Sequence, residues 1–540
     1  MNLLKDPWLP FKKADGSCQY LSVQAVLDPD VVDLALPRED FQGAAYQFLI
    51  GLLQTLLAPA DKDEWTEQYT KPPSREILND VLERYSPAFE VTGDGGCFMQ
   101  DWEQLEQEKP TDIAALLIDS PGASTIKNNT DHFVKAGRVQ QLCSDCATMA
   151  LFTLQINAPA GGKGHRTGLR GGGPLTTLVM PFDTSSTFWQ RLWLNVLDQD
   201  EWDYPSPAPD DATLFPWLAA TRVSDKGQGT YPEQMHSLHP YWSMPRRIRL
   251  VIESAECACD MCGRHQPESV RSIRTRNYGT NYDGPWSHPL TPYRFDPKKP
   301  EQLPYSRKAQ PGGIGYRHWE ALVIEDRESK GTLPASVVKD YAPKRQCAGD
   351  MGVDLSPLAT LWVFGYDMDN MKPRCWYGTH MPVLGLPGSQ QVLALQWLRD
   401  LVGLTQVASG LLQGQVKEAW FRRPKDVKGD FSFVSAALWE KTGQQFYQLL
   451  MEIGLALSSE QPPERLPADF AAQWYRHVIG EATQQFDDLA LSGPAEQLDM
   501  KRITHARNVF RRKLFGSKEA KAFRQMGLLT ESTAAARATT

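Results

Sequence analysis

The chain has 540 residues, 41% of them hydrophobic and 23% charged, the composition of a folded protein with enough length for a large core and two or more domains. Its net charge of −8 argues against a protein that coats nucleic acid unaided, but leaves local basic sites open, because charge acts where it lies. The opening residues show no signal-peptide pattern and the nine cysteines are an odd number, so the thiols are expected to be reduced or metal-bound and the compartment cytoplasmic.

Residues 41–60 are the most apolar stretch, but Gln42, Gln47, Gln54, two glycines and a proline interrupt it. A buried or amphipathic helix is predicted there rather than a membrane span. Further on come two C-x-x-C pairs, Cys143 with Cys146 and Cys259 with Cys262. Alone, either pair reads as a redox motif or as chance, and Cys257 adds another candidate ligand beside the second. Together their two-residue gaps let four thiolates meet one tetrahedral metal. Four cysteinates at about 2.3 Å close the shell to water and substrate, so the prediction is one structural zinc.

Between the pairs lies a glycine-rich basic loop, with Gly161, Gly162, Lys163, Gly164, His165 and Arg166 followed by Gly168, Leu169, Arg170 and Gly171 to Gly173. It reads either as backbone presented to a polyanion or as a plain surface turn. Residues 203–246, rich in proline, tryptophan and polar turns, predict an irregular excursion packed by aromatics. Runs at 247–252 and 358–364 have the β-branched and aromatic content of strands.

After Gly388 the texture changes. Val392, Leu395, Leu398 and Val402 recur at helical spacing, and similar patterns follow at 433–453, 468–490 and 495–515, separated by breakers such as Pro462 and Pro463. The predicted fold is therefore α+β, with a mixed, loop-rich domain at 1–382 and a C-terminal four-helix bundle at 383–540. The last helix runs into a basic segment that includes Arg507, Arg511 and Arg512, which is either a solvated helix face or a phosphate-contacting surface. Residues 534–540 read as a frayed tail.

The defining residues of several enzyme classes are missing. The sequence has no H-E-x-x-H, no Walker A ending in Lys-Ser or Lys-Thr, and no H-x-E paired with P-C-x-x-C. A zinc-stabilised enzyme acting on a phosphorylated ligand or nucleotide, using the glycine loop and its basic residues, stays as the alternative to a binding role.

Several runs together carry a resemblance. They are Leu3-Leu4-Lys5-Asp6-Pro7-Trp8-Leu9-Pro10, Leu36-Pro37-Arg38-Glu39-Asp40, Phe98-Met99-Gln100, the cysteine pairs, Gly168-Leu169-Arg170-Gly171-Gly172, Trp286-Ser287-His288-Pro289, and residues 365–372 from Gly365 to Lys372. Over nearly its whole length the chain resembles the CasA (Cse) large subunits of the type I-E CRISPR surveillance complex, Cascade. The resemblance implies a non-catalytic subunit that reads a protospacer-adjacent motif on double-stranded DNA, promotes duplex opening and R-loop formation, and offers a platform to the helicase-nuclease, with crRNA and the other Cascade subunits as partners. Guide pairing supplies the long sequence readout in such systems, so the protein need read only a short motif and shape.

The resemblance also implies residue roles. The family's glycine loop falls on Ala160, Gly161, Gly162, Lys163 and Gly164, and its strand-separating wedge on Asn370 and Met371. The minor-groove finger falls on Asn277, with Arg274 and Arg276 just before it; Arg276 is favoured, since arginine suits narrow minor grooves. The loop that anchors the subunit to the crRNA-bearing backbone corresponds to residues 128–139, centred on His132, Phe133 and Val134.

Overall fold

The structure, a computed structural model, describes residues 1–537 apart from 133, 160, 163, 184, 370, 371 and 494–497; for 123 and 528–537 it describes the backbone alone. The chain divides into two compact units, one of residues 1–310, 321–355 and 361–380, the other of 311–320, 356–360 and 381–540.

In the first unit, β1 (Leu9–Lys13), β2 (Cys18–Leu21) and β3 (Val31–Leu34) form an antiparallel sheet in the order β2-β1-β3. The interrupted apolar stretch becomes α1 (Glu39–Leu57), a buried helix. Its glutamines do not break it, because their amides find partners: Gln54 donates to the Leu197 carbonyl at 2.9 Å and accepts from the Leu197 N–H at 2.7 Å. Among the described residues no helix is long and apolar enough to cross a membrane.

Next come β4 (Thr111–Asp112), α2 (Ser144–Asn157) and β5 (Thr176–Pro181). The proline- and tryptophan-rich excursion is held by aromatic packing. Phe215, Trp217 and Trp242 are buried with Phe89 and Phe98, and Trp217 meets Phe98 edge-on at 5.0 Å. Then follow β6 (Arg247–Glu253), β7 (Cys257–Ala258), β8 (His265–Gln266) and β9 (Ser269–Arg276). β4, β9 and β6 pair antiparallel in that order, with Leu250 opposite Ile273, while β7 and β8 make a short hairpin. The long strands β10 (Leu358–Asp369) and β11 (Lys372–Leu384) complete a sheet in the order β11-β10-β5.

The second unit is helical, with α3 (Gly388–Trp420), α4 (Ser432–Leu457), α5 (Ala468–Ala490), α6 (Met500–Gly516) and α7 (Lys518–Arg537). Leu401, Leu412, Phe446, Trp474 and Phe510 are buried along its core, and the Trp474 indole donates to the Leu401 carbonyl at 2.9 Å. The sequence predicts four helices, whereas the described residues form five. Ser517 leaves helical geometry and its hydroxyl accepts from the Ala520 N–H at 3.1 Å, starting a new helix that buries Ala520 and Phe523. That short apolar signal is hidden in the basic run. The sequence boundary at 382 also differs, because 311–320 and 356–360 belong to the helical unit. Tyr316 explains the first of these: it stacks on Phe446 at 4.3 Å and its hydroxyl meets that of Thr442 at 2.8 Å.

Candidate metal centre and nucleic-acid interface

Two local structures bring the cysteines together. Cys143 is the N-terminal cap of α2 and Cys146 lies in its first turn, so one helix end presents both sulfurs. Cys259 and Cys262 occupy the turn between β7 and β8, closed by the Cys259 N–H donating to the Arg264 carbonyl at 2.9 Å and by Gly263 at φ 72°. All four sulfurs lie within 4.8 Å of one another, with Cys143 Sγ to Cys262 Sγ at 3.9 Å. A tetrahedron with bonds of about 2.3 Å has edges of about 3.8 Å, so the donor set fits a thiolate-bound zinc.

The electrostatics are those of a site that needs a cation. The interaction with Cys143 pushes the Cys146 thiol up, while hydrogen bonds from Cys143 and Cys146 pull Cys259 down to about 6 and lower Cys262 further. Four sulfurs this close cannot all ionise without a positive partner. Cys257, the further candidate in the sequence, is outside the cluster and donates to the Glu268 carbonyl at 3.3 Å.

The same turn holds the base of the expected anchoring loop. Asp260 Oδ2 accepts from the N–H groups of Gln140 at 2.7 Å and Gln141 at 2.9 Å. His132 is exposed and Val134 half-buried on that loop, while Phe133 lies outside the described residues.

After α2 the described residues of 158–173 run as an irregular loop. Gly161 and Gly162 are exposed, and Gly162 and Gly164 have φ of 95° and 81°, a region that favours glycine. Gly164 is also sterically required: a Cβ there would lie 2.7 Å from Asn277 Cβ. Its carbonyl accepts from the Tyr278 N–H at 2.7 Å. Two segments that the sequence separates widely, the glycine loop and the region after β9, thus meet edge to edge, with Asn277 exposed beside them. Lys163 lies outside the described residues.

Beneath Gly161 sits Arg246, which sequence reasoning missed. It donates to the Pro159 carbonyl and to His165 Nδ1, pairs with no carboxylate among the described residues, and is pushed down to about 10 by burial. Only its position before β6 marks it in the sequence, and that says nothing of its neighbour across the fold. Arg276 is engaged: it donates to Glu108 at 2.7 Å and Glu103 at 2.6 Å. Arg274 donates to the carbonyls of Leu105 and Glu106. Arg170, from the loop's second half, points inward to Gln47 at 2.8 Å and Thr291 at 3.0 Å and is a packing residue.

The loop's far end lies against β10, where a Cβ on Gly173 would come within 2.7 Å of Met368 Cγ. Asn370 and Met371 lie outside the described residues. The flanking strand ends are braced by Arg374, which donates to Asp367 at 2.9 and 2.7 Å. On α6, Arg507 is a bidentate partner of Asp487, whereas Arg511 and Arg512 are exposed.

A sequence model of the family described as CRISPR-associated protein Cse1 matches residues 2–484. Among solved structures, a CasA from Thermus thermophilus is similar at 16% identity and a TM-score of 0.70, with 96% of this chain and 99% of that chain covered. Thermobifida fusca Cse1 is similar at 16% identity and a TM-score of 0.70, with 98% of each chain covered. A chain of a CRISPR RNA-guided surveillance complex is similar at 15% identity and a TM-score of 0.65, covering 95% of this chain and 99% of that one. At these identities the structural likeness speaks for the fold.

Proposed function

This chain belongs to the CRISPR-associated protein Cse1 family, and from that membership we propose that it is the non-catalytic large subunit of a type I-E Cascade complex. In this role it reads a protospacer-adjacent motif on duplex DNA, helps to open the duplex for R-loop formation, and recruits the helicase-nuclease in antiviral defence. The observation that carries the reading is the meeting of the exposed Gly161–Gly162 backbone with exposed Asn277 through the Gly164 to Tyr278 hydrogen bond. Backbone without Cβ atoms approaches a groove edge closely, and a lone amide side chain beside it suits the degenerate minor-groove pattern. Arg246, largely covered and paired with no carboxylate among the described residues, adds positive potential under the loop.

Arg276 meets DNA in this reading only by giving up two carboxylates, so Asn277 is the stronger finger. Asn370 and Met371 would act as the wedge, where unstacking a base step costs a few kcal/mol. His132, Phe133 and Val134 would seat the subunit on the crRNA-bearing partners. The cysteine cluster, holding zinc, would tie the N-terminal end of α2 to the β7–β8 turn and perform no chemistry.

The test is reconstitution of the complex with and without this chain, followed by binding to a library of duplexes that vary next to the target. Motif-dependent binding that requires the chain supports the reading. Motif-independent binding, together with phosphoester hydrolysis by the purified chain, would favour the enzyme alternative.

A further inference from the structure

The corner between α3 and α4, residues 417–433, combines aromatic rings with exposed cations. The Trp420 ring stacks on Phe433 at 6.3 Å and 21° and lies 6.2 Å from Phe431, which meets Phe421 edge-on at 5.8 Å. Lys417 Nζ sits 4.7 Å from the Phe431 centroid. The platform is fixed from below, because the Trp420 indole donates to the Leu489 carbonyl at 2.9 Å and Arg502 donates to the Ala419 carbonyl at 2.9 Å.

Packing alone would bury these rings, yet Phe433 remains 52% exposed. Beside it Arg422, Arg423, Lys425 and Lys428 are exposed and pair with no carboxylate among the described residues. Asp430 is occupied, accepting from the N–H and hydroxyl of Ser432, both at 2.8 Å.

From this juxtaposition we propose that the α3–α4 corner binds single-stranded nucleic acid, one base stacking on Phe433 while Arg422, Arg423, Lys425 and Lys428 hold the adjoining phosphates. A single strand is the fitting ligand because a base can lie flat on a surface ring only when it is unpaired, and because cations interleaved with aromatics match its alternation of phosphate and base. This site lies outside the residues assigned to duplex reading, and needs neither the glycine loop nor partner subunits.

The experiment uses the full chain and fluorescence anisotropy with a labelled twelve-residue thymidine oligonucleotide and an abasic phosphodiester of equal length. Phe433→Leu keeps an apolar side chain for packing and removes the stacking face. It should weaken the thymidine strand about ten-fold and leave the abasic strand unchanged. Phe433→Trp should bind at least as tightly as the unmodified chain. Neutralising Arg422, Arg423 and Lys425 together as glutamine should weaken both strands and reduce the log–log salt slope by about 2.

A Phe433→Leu chain that binds thymidine like the unmodified chain would overturn the proposal, as would equal losses on thymidine and abasic strands. The assembled complex keeps the two readings apart. Loss of oligonucleotide binding with motif preference intact supports this site and leaves duplex reading standing. Loss of motif preference in glycine-loop variants that retain oligonucleotide binding bears on that reading alone.

Discussion

Replacing Cys146 by serine should remove the metal and loosen the first unit. A metal joining Cys143 to Cys262 closes a loop spanning 119 residues. Treated as a cross-link of that length, it withdraws about 5 kcal/mol of chain entropy from the unfolded state. Spread over a unit of roughly 365 residues, at about 2.1 cal/mol/K each, the loss lowers the melting temperature by about 6 °C. The assay is metal content by mass spectrometry together with calorimetry of the full chain. The unmodified chain should carry one zinc, and the variant none, while the helical unit, which holds no ligand of this cluster, should melt unchanged. Cys257→Ser is the control and should keep the metal, since Cys257 lies outside the cluster. Freshly purified chain without stoichiometric zinc, or a Cys146→Ser chain that melts with the original, would show that no metal cross-links this unit.

The buried His239 is pushed down to about 4 from 6.5 by desolvation, so the unfolded state takes up its proton first and stability is lost as pH falls from about 6.5 towards 4, by up to about 3 kcal/mol. Denaturant melts of His239→Gln should show a shallower slope in that window, and an unchanged slope would remove His239 from the account. Neutralising Arg507, Arg511 and Arg512 together should reduce the salt slope of duplex binding by about 2 rather than nearly 3, because Arg507 already serves Asp487. An unaltered slope would assign these residues to helix packing or a protein partner. Phe133→Ala should weaken incorporation into the assembled complex without lowering the thermal stability of the free chain, measured by pull-down and calorimetry; a stability loss alone would make Phe133 a packing residue.

Legibility followed the range of the interactions. The cysteine pairs were readable because each gap is local and metal chemistry restricts the partner, which is also why Cys257 could be excluded only by its place in the fold. Strands β6 and β10 announce themselves by β-branched and aromatic content, and the long bundle helices by periodicity. Arg246 and the ion pairs of Arg276 were not readable, since the carboxylates of Glu103 and Glu108 reach Arg276 only through the pairing of β4 with β9. The fifth helix was hidden because two buried positions, Ala520 and Phe523, sit in a run dominated by lysine and arginine. Tyr316 belongs to the helical unit through tertiary contacts that no periodicity announces.

Motif-resolved binding of the assembled complex to matched targets, one fully paired and one with the first target pairs already open, separates motif reading by this chain from duplex opening. Bulky residues in place of Gly161 and Gly162 should abolish motif preference on both targets, because the exposed backbone can no longer approach the groove. Changes at Asn370 and Met371 should impair the paired target and be largely relieved on the open one. Equal recovery of both variants on the open target, or intact motif preference in the glycine-loop variant, would contradict the assignment of duplex reading to this chain.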